Sequence, residues 1–241
     1  MHKLPGVMRM KTRYKRLVLA LLVLMGLMIA APQGEPQSQR VLKVQEKSER
    51  TLIIDPGHGG EDGGAVAVSG TPESQINLDI ALRVDQLCGL YGVKTRLLRE
   101  TDVSLAGEEA HTLREKKRSD LKQRVEQANS VPGAFLLSIH QNFYESPDPH
   151  GAQVFYRPDE DSQLWAETLQ ATLREKLDPA NSRTPSPVPE FVYLMKHISC
   201  PAVLVECGFL SNLEENQLLE SAAYQKKLAA VLTTSCLDRD Q

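Results

Sequence analysis

Three short apolar runs, at residues 51–55, 135–140 and 202–206, constrain this chain most, because each ends at or just ahead of an ionisable residue. Short continuous apolar runs bounded by glycine or proline read as strands buried on both faces. The stretches between them carry helical spacing instead. Ile76, Ile80, Leu87 and Tyr91 follow the first run; Leu121, Val125 and Ala128 precede the second; Leu164, Leu169, Leu173 and Leu177 precede the third; Tyr224, Leu228, Val231 and Leu232 come last. Two more strands are expected over residues 93–98 and 151–156, and loops over 99–113 and the proline-bearing 179–189. Strands alternating with helices predict a single three-layer α/β domain, its mostly parallel, twisted sheet flanked by helices on both faces. Thr71-Pro72-Glu73 predicts a helix start, with a threonine cap, a proline in the first turn and an acid at the positive end.

Charge is unevenly placed. Lys and Arg number 28 against 31 Asp and Glu, and six of the 28 fall in residues 1–31 with no acid among them, leaving the remainder at −9. An acidic body argues against nucleic acid as a partner. The basic stretch runs into fifteen apolar residues, 17–31, then Pro32. Residues 1–31 therefore read as an export signal or N-terminal membrane anchor, residues 32–50 as a linker and residues 51–241 as the folded domain. The basic side stays inside and the body is exported to the extracytoplasmic side. The four cysteines (Cys88, Cys200, Cys207, Cys236) include no C-x-x-C pair and read as small apolar packers.

Ionisable residues gather where the carboxyl edge of such a sheet would lie. His58 follows the first strand within Asp55-Pro-Gly-His-Gly-Gly60, His140 closes the third strand and Glu206 closes the last. Glu73 opens a helix that starts back at the same edge, where open α/β sheets bind their ligands. Two imidazoles and two carboxylates are the inventory of a catalytic zinc site: three ligands, an open position for water and one base. Singly, each has a plainer role, as a polar strand end or a helix-start acid. Glu206 is the hardest to read so, since a carboxylate ending an apolar strand is costly to bury alone. The glycine loop lacks the G-K-[ST] of a phosphate-binding loop and the register of a dinucleotide site.

On these residues the chain, from Thr51 to about Leu232, resembles the zinc-dependent N-acetylmuramoyl-L-alanine amidases of the Amidase_3 type. The resemblance rests on Ile54-Asp-Pro-Gly-His-Gly-Gly60 with Asp62, on Glu73 with Asn77-Leu78, on residues 121–129, on Ser138-Ile-His-Gln-Asn142 and on residues 201–212. It implies one Zn2+ held by His58, Glu73 and His140, with Glu206 as the catalytic glutamate, and peptidoglycan as the substrate. Arg99-Glu-Thr-Asp-Val-Ser-Leu105 and Leu121-Lys-Gln-Arg-Val125 are most similar to the sporulation and germination branch. That branch implies muramic-δ-lactam formation in spore cortex, with a deacetylase and a regulatory lipoprotein as partners. Gln141 stands where a small residue is common and Cys207 where Thr, Val or Ala is common. Residues 114–124 read as a solvated basic face, with Arg124, matched by the family pattern, the one expected to meet the carboxylates of the substrate peptide. His111, His150 and His197 read as solvated, and Trp165 as core. The alternatives are a zinc exopeptidase on free wall peptides and a partner-dependent, weakly catalytic wall-binding protein. The second predicts a missing ligand or base, and all four residues are present.

Overall fold

The computed structural model describes residues 50–240. The expected export segment, 1–31, and all of the linker but Arg50 lie outside the described residues. Among the described residues no helix is long and apolar enough to cross a membrane.

Six strands form one sheet: β1 (Thr51–Pro56), β2 (Lys94–Leu97), β3 (Ala134–Asn142), β4 (Gln153–Tyr156), β5 (Ser186–Pro187) and β6 (Ala202–Phe209), in the order β2-β1-β3-β6-β4-β5. β2, β1, β3 and β6 run parallel, whereas β4 pairs antiparallel with β6 and parallel with β5. Successive residues of the buried strands point to opposite faces. Leu52, Ile54, Leu137, Ile139, Val203 and Val205 therefore enter one core, while Ile53, Leu136, Ala202 and Leu204 enter the other.

Three helices cover the first face: α1 (Glu73–Leu90), α3 (Glu160–Lys176) and the closing helix α6 (Ala222–Asp240). The second face carries α2 (Leu113–Asn129) and the one-turn α4 (Tyr193–His197), and α5 (Leu213–Glu220) packs beside β6. Trp165 is buried in the first core, where its indole N–H donates to Ser235 Oγ at 2.8 Å. Cys88, Cys207 and Cys236 are buried there too.

The structure corrects several details. Thr71 does not cap α1. The helix begins at Glu73, and its first amides donate instead to loop carbonyls, Glu73 N to Ala65 O at 2.8 Å and Ser74 N to Gly63 O at 3.0 Å. The buried stripe of α1 runs through Ile76, Ile80, Val84 and Cys88, and Tyr91 is exposed beyond the helix end, because the stripe follows steps of four along a straight helix. In α2 the buried positions are Asp120, Arg124 and Ala128, with Leu121 and Val125 only half-buried. Leu164 of α3 is exposed. The proline-bearing loop contributes the two-residue edge strand β5, and α4 and α5 were not expected.

Candidate metal site and its neighbouring carboxylate

Helices α1 and α2 leave the sheet on opposite faces, so the strand order reverses between the parallel neighbours β1 and β3. That switch point opens a crevice past the carboxyl ends of these two strands. His58 sits two residues beyond β1, and His140 lies near the end of β3. His140 is paired in register with Glu206 of β6, which is paired in turn with Gln153 of β4. Opposed residues share a face, so His140, Glu206 and Gln153 form a row across three strands. Glu73 reaches the same point from the first turn of α1.

Four groups predicted from sequence therefore meet. His58 Nε2 lies 3.3 Å from Glu73 Oε2, and His140 Nδ1 lies 3.1 Å from Glu73 Oε1. The two rings meet edge-on with centroids 5.1 Å apart. Among the described residues these three form the group able to hold a metal ion, with one donor atom from each lying within 4.8 Å of the others. Glu73 is buried and accepts from Ala65 N, Gln141 N and Asn77 Nδ2 at 3.0, 3.1 and 3.2 Å. Burial pushes its carboxyl up, but the hydrogen bond and charge of His140, then His58 and the Ala65 amide, prevail and hold it at about 2. Glu73 is thus ionised wherever the protein works. Burial would hold the His140 imidazole down, yet Glu73 and then Glu206 and Asp55 raise it.

Glu206 behaves in the opposite way. Its Oε2 is buried and accepts no hydrogen bond from the described residues. Burial raises its pKa and so does Glu73, against His140 and His58, leaving it at about 7. Carboxyl groups tuned to this range serve as proton carriers at neutral pH. Cys207, the next residue, points to the opposite face and into the apolar core, where burial raises its thiol far above the ordinary range. That excludes it as a nucleophile.

The loop after β1 is shaped to present His58. His58 itself has φ 61°, unusual for a residue with a side chain. Gly57 packs against the His140 ring so closely that a Cβ there would overlap it, and a Cβ on Gly64, at φ 71°, would overlap Glu73 and His58. His58 Nδ1 lies 3.1 Å from Asp62 Oδ2. A carboxylate there accepts a hydrogen bond from Nδ1–H and so leaves Nε2 with its lone pair toward Glu73, the usual support for a metal-binding imidazole. Asp62 in turn pairs with Lys117 Nζ at 3.2 Å.

Two buried arginines hold this loop. Arg124 donates to Asp55 Oδ1 at 2.5 Å, Asp120 Oδ2 at 2.6 Å, Pro56 O at 2.9 Å and His58 O at 2.6 Å. Arg99 donates to Pro56 O at 3.0 Å, Gly57 O at 2.9 Å and Ser74 O at 2.8 Å. Arg124, expected to meet substrate, is instead 2 % exposed and spent on the protein's own carboxylates and carbonyls. Arg99, Asp55 and Asn77 escaped sequence reasoning as site residues, although each lies inside a recognised motif. Asn77 Nδ2 bridges Glu73 Oε1 and Gly57 O, and its Oδ1 accepts from Gln141 Nε2 at 3.0 Å. Gln141 thus fills its unusual position by bracing the helix that carries Glu73. Asn142 makes only loop contacts, to Phe143 N and Leu210 N, and His111, His150 and His197 are exposed.

The chain is 35% identical over 184 residues to a germination-specific N-acetylmuramoyl-L-alanine amidase of Bacillus subtilis, covering 76% of each. It is similar to the solved CwlD amidase of Clostridioides difficile in complex with the GerS lipoprotein, at TM-score 0.75 and 38% identity, covering 78% of this chain and 97% of that one. The amidase AmiC2 of Nostoc punctiforme matches at TM-score 0.66 and 29% identity, covering 80% of this chain and 97% of that one. The family model of the N-acetylmuramoyl-L-alanine amidases matches residues 52–236, which take in the sheet from the second residue of β1 onward, and the chain belongs to that family.

Proposed function

We propose that this protein is a zinc-dependent amidase that cuts the bond between the lactyl group of N-acetylmuramic acid and the L-alanine of the peptidoglycan stem peptide. The observation that carries this reading is the convergence of His58, Glu73 and His140 beside Glu206, a half-buried carboxyl with one oxygen buried and unused. Two imidazoles and a carboxylate suit zinc, and leave a position open for substrate. Zinc bound there supplies Lewis acidity, polarising the scissile carbonyl and making water acidic enough to attack near neutral pH.

The chain's own residues do the rest. Glu73, ionised and buried, offsets positive charge at the site. Asp62 fixes the tautomer of His58, and Arg124 and Arg99 fix the loop that aims it. Glu206 takes the proton of the attacking water on its carboxylate and delivers it to the departing L-alanine amine. A group with a pKa near 7 does both without a large energetic mismatch in either direction.

Spore cortex as the substrate is supported by the germination-specific relative, and muramic-δ-lactam as the eventual product is what the resemblance to that branch implies. A lipoprotein partner is supported by the solved relative in complex with one. Residues 1–31 then serve as export signal or tether and 32–50 as linker, with 51–241 acting on the outer side of the membrane.

The test is release of stem peptide from purified peptidoglycan. Zinc-loaded protein is expected to release peptides with a free L-alanine amine, and chelator to stop it. Glu206→Gln is expected to lower the rate by about 10²–10⁴-fold while still binding one zinc per chain. Full activity in that variant would remove Glu206 from the chemistry, and cleavage within free wall peptides would favour an exopeptidase.

A further inference from the structure

The row His140–Glu206–Gln153 does not end at the metal site. Beyond Gln153, between the chain following β3 and the loop preceding β5, lies a cleft of about 670 Å³, walled in part by Tyr144, Asp148, His150 and Arg183. Adjacent strands are about 4.8 Å apart. Gln153, one strand from Glu206, therefore places the mouth of this cleft within a residue or two's reach of the scissile bond.

Arg183 in this cleft is held rigidly. Its Nε donates to His150 O at 2.7 Å, its Nη1 donates to Gln153 Oε1 at 3.0 Å, and its guanidinium lies 4.5 Å over the Phe209 ring. Its own amide donates to Asn181 Oδ1 at 3.0 Å, and Asn181 is buried. Nη2 donates no hydrogen bond to the described residues, and among them Arg183 forms no ion pair. The cations on the other flank of the site are already committed: Lys116 to Glu61 at 2.7 Å and Lys117 to Asp62 at 3.2 Å. A guanidinium held through Nε and Nη1, with Nη2 unspent, is a pre-organised receptor for a carboxylate. Asp148, on the same wall, opposes a polyanion and suits an occupant that carries an amine as well as an acid.

We propose that the cleft walled by Tyr144 and Arg183 is the subsite for the stem peptide, with Arg183 gripping a peptide carboxylate, so that the peptide runs from the Glu206 row toward β4 and β5. The assignment rests on the amidase reading, and it makes Arg183 a specificity-determining residue.

The experiment separates the two claims by measuring binding apart from cleavage. The zinc-loaded protein is titrated with L-alanyl-D-glutamate and with its diamide by calorimetry. The acid is expected to bind about ten- to a hundredfold more tightly, the range for a hydrogen bond to a charged group. Arg183→Gln is expected to erase that preference, and Arg183→Lys, which keeps the charge but not the fork, to reduce it. Melting curves of both variants establish that they are folded, and the lysine variant carries the test if the glutamine variant is not. Equal binding of acid and diamide by the unaltered protein, no binding of either, or a preference unchanged in both variants overturns the proposal. Stem-peptide release by the same preparation tests the amidase reading by itself. An Arg183-dependent acid preference without release leaves the subsite and sinks the amidase reading; release without the preference does the reverse.

Discussion

Arg124 and Glu206 set the limits of what single residues disclose. Glu206 was legible because an acid at the end of an apolar strand has few structural uses, and the site gives it a buried oxygen with no partner. Arg124 was misread because its sequence neighbours are basic and solvated, whereas its own position turns inward to Asp55 and Asp120. No local pattern separates those faces when the helix has so few apolar residues. The pairing predicts an acid-sensitive fold. Burial pushes Asp55 up, but Arg124, then His140 and the Ser138 hydroxyl, bring it below its ordinary value. The folded protein therefore binds fewer protons here than the unfolded chain. The resulting stability is fully present above the unfolded value of about 4 and drains away as pH falls through the lower folded value. Asp55→Asn is expected to cost up to about 3–5 kcal/mol at pH 7, by leaving the buried Arg124 charge with Asp120 as its remaining carboxylate partner. Urea unfolding from pH 7 down to pH 2 checks this: the variant should start lower and lose less with acid, and parallel curves would show that Asp55 is not the group responsible.

At the scale of elements, the buried strands and the longer helices followed from their apolar periodicity, while the pieces that finish the site did not. α4, α5 and β5 are too short for a period to show, and β5 is half proline, which cannot donate in a ladder. The start of α1 is the instructive case. Sequence offered Thr71 as a cap, but the loop carbonyls of Gly63 and Ala65 take that role, while the Ala65 amide donates to Glu73 Oε2. Helix, loop and Glu73 are thereby one unit, closed by Gly64 in a left-handed conformation pressed against Glu73 and His58. Gly64→Ala is expected to cost about 1–2 kcal/mol for the backbone alone, and to displace Glu73 or His58 besides. Its zinc affinity should fall by about tenfold or more, the scale seen when the support of a metal ligand is lost. Competition with a chromogenic chelator measures it, and an unchanged affinity would mean that the loop yields without moving either side chain.

For the molecule as a whole, the parallel part of the sheet was readable because β1, β3 and β6 are continuous apolar runs, whereas β4 was expected as a strand but its antiparallel direction was not, since orientation leaves no mark on four residues. Placing β4 against β6 is what carries Gln153 beside Glu206 and extends the site toward Arg183. The candidate metal site joins three separate segments: the loop after β1, the start of α1 and the end of β3. Each is far from the others in sequence, so nothing in the unfolded chain holds the three donors together, and binding energy is then folding energy. Zinc at a thousandfold excess over its Kd should add about 4 kcal/mol, which for a domain of this size corresponds to about 8–16 °C in Tm. Differential scanning fluorimetry with zinc and then with chelator reads this reversibly. His58→Ala should lose the shift because a ligand is gone, whereas Glu206→Gln should keep it, since that carboxyl stands beside the donors and is not one of them. A shift that survived in His58→Ala would place the ion elsewhere, and its loss in Glu206→Gln would turn the proposed proton carrier into a fourth ligand.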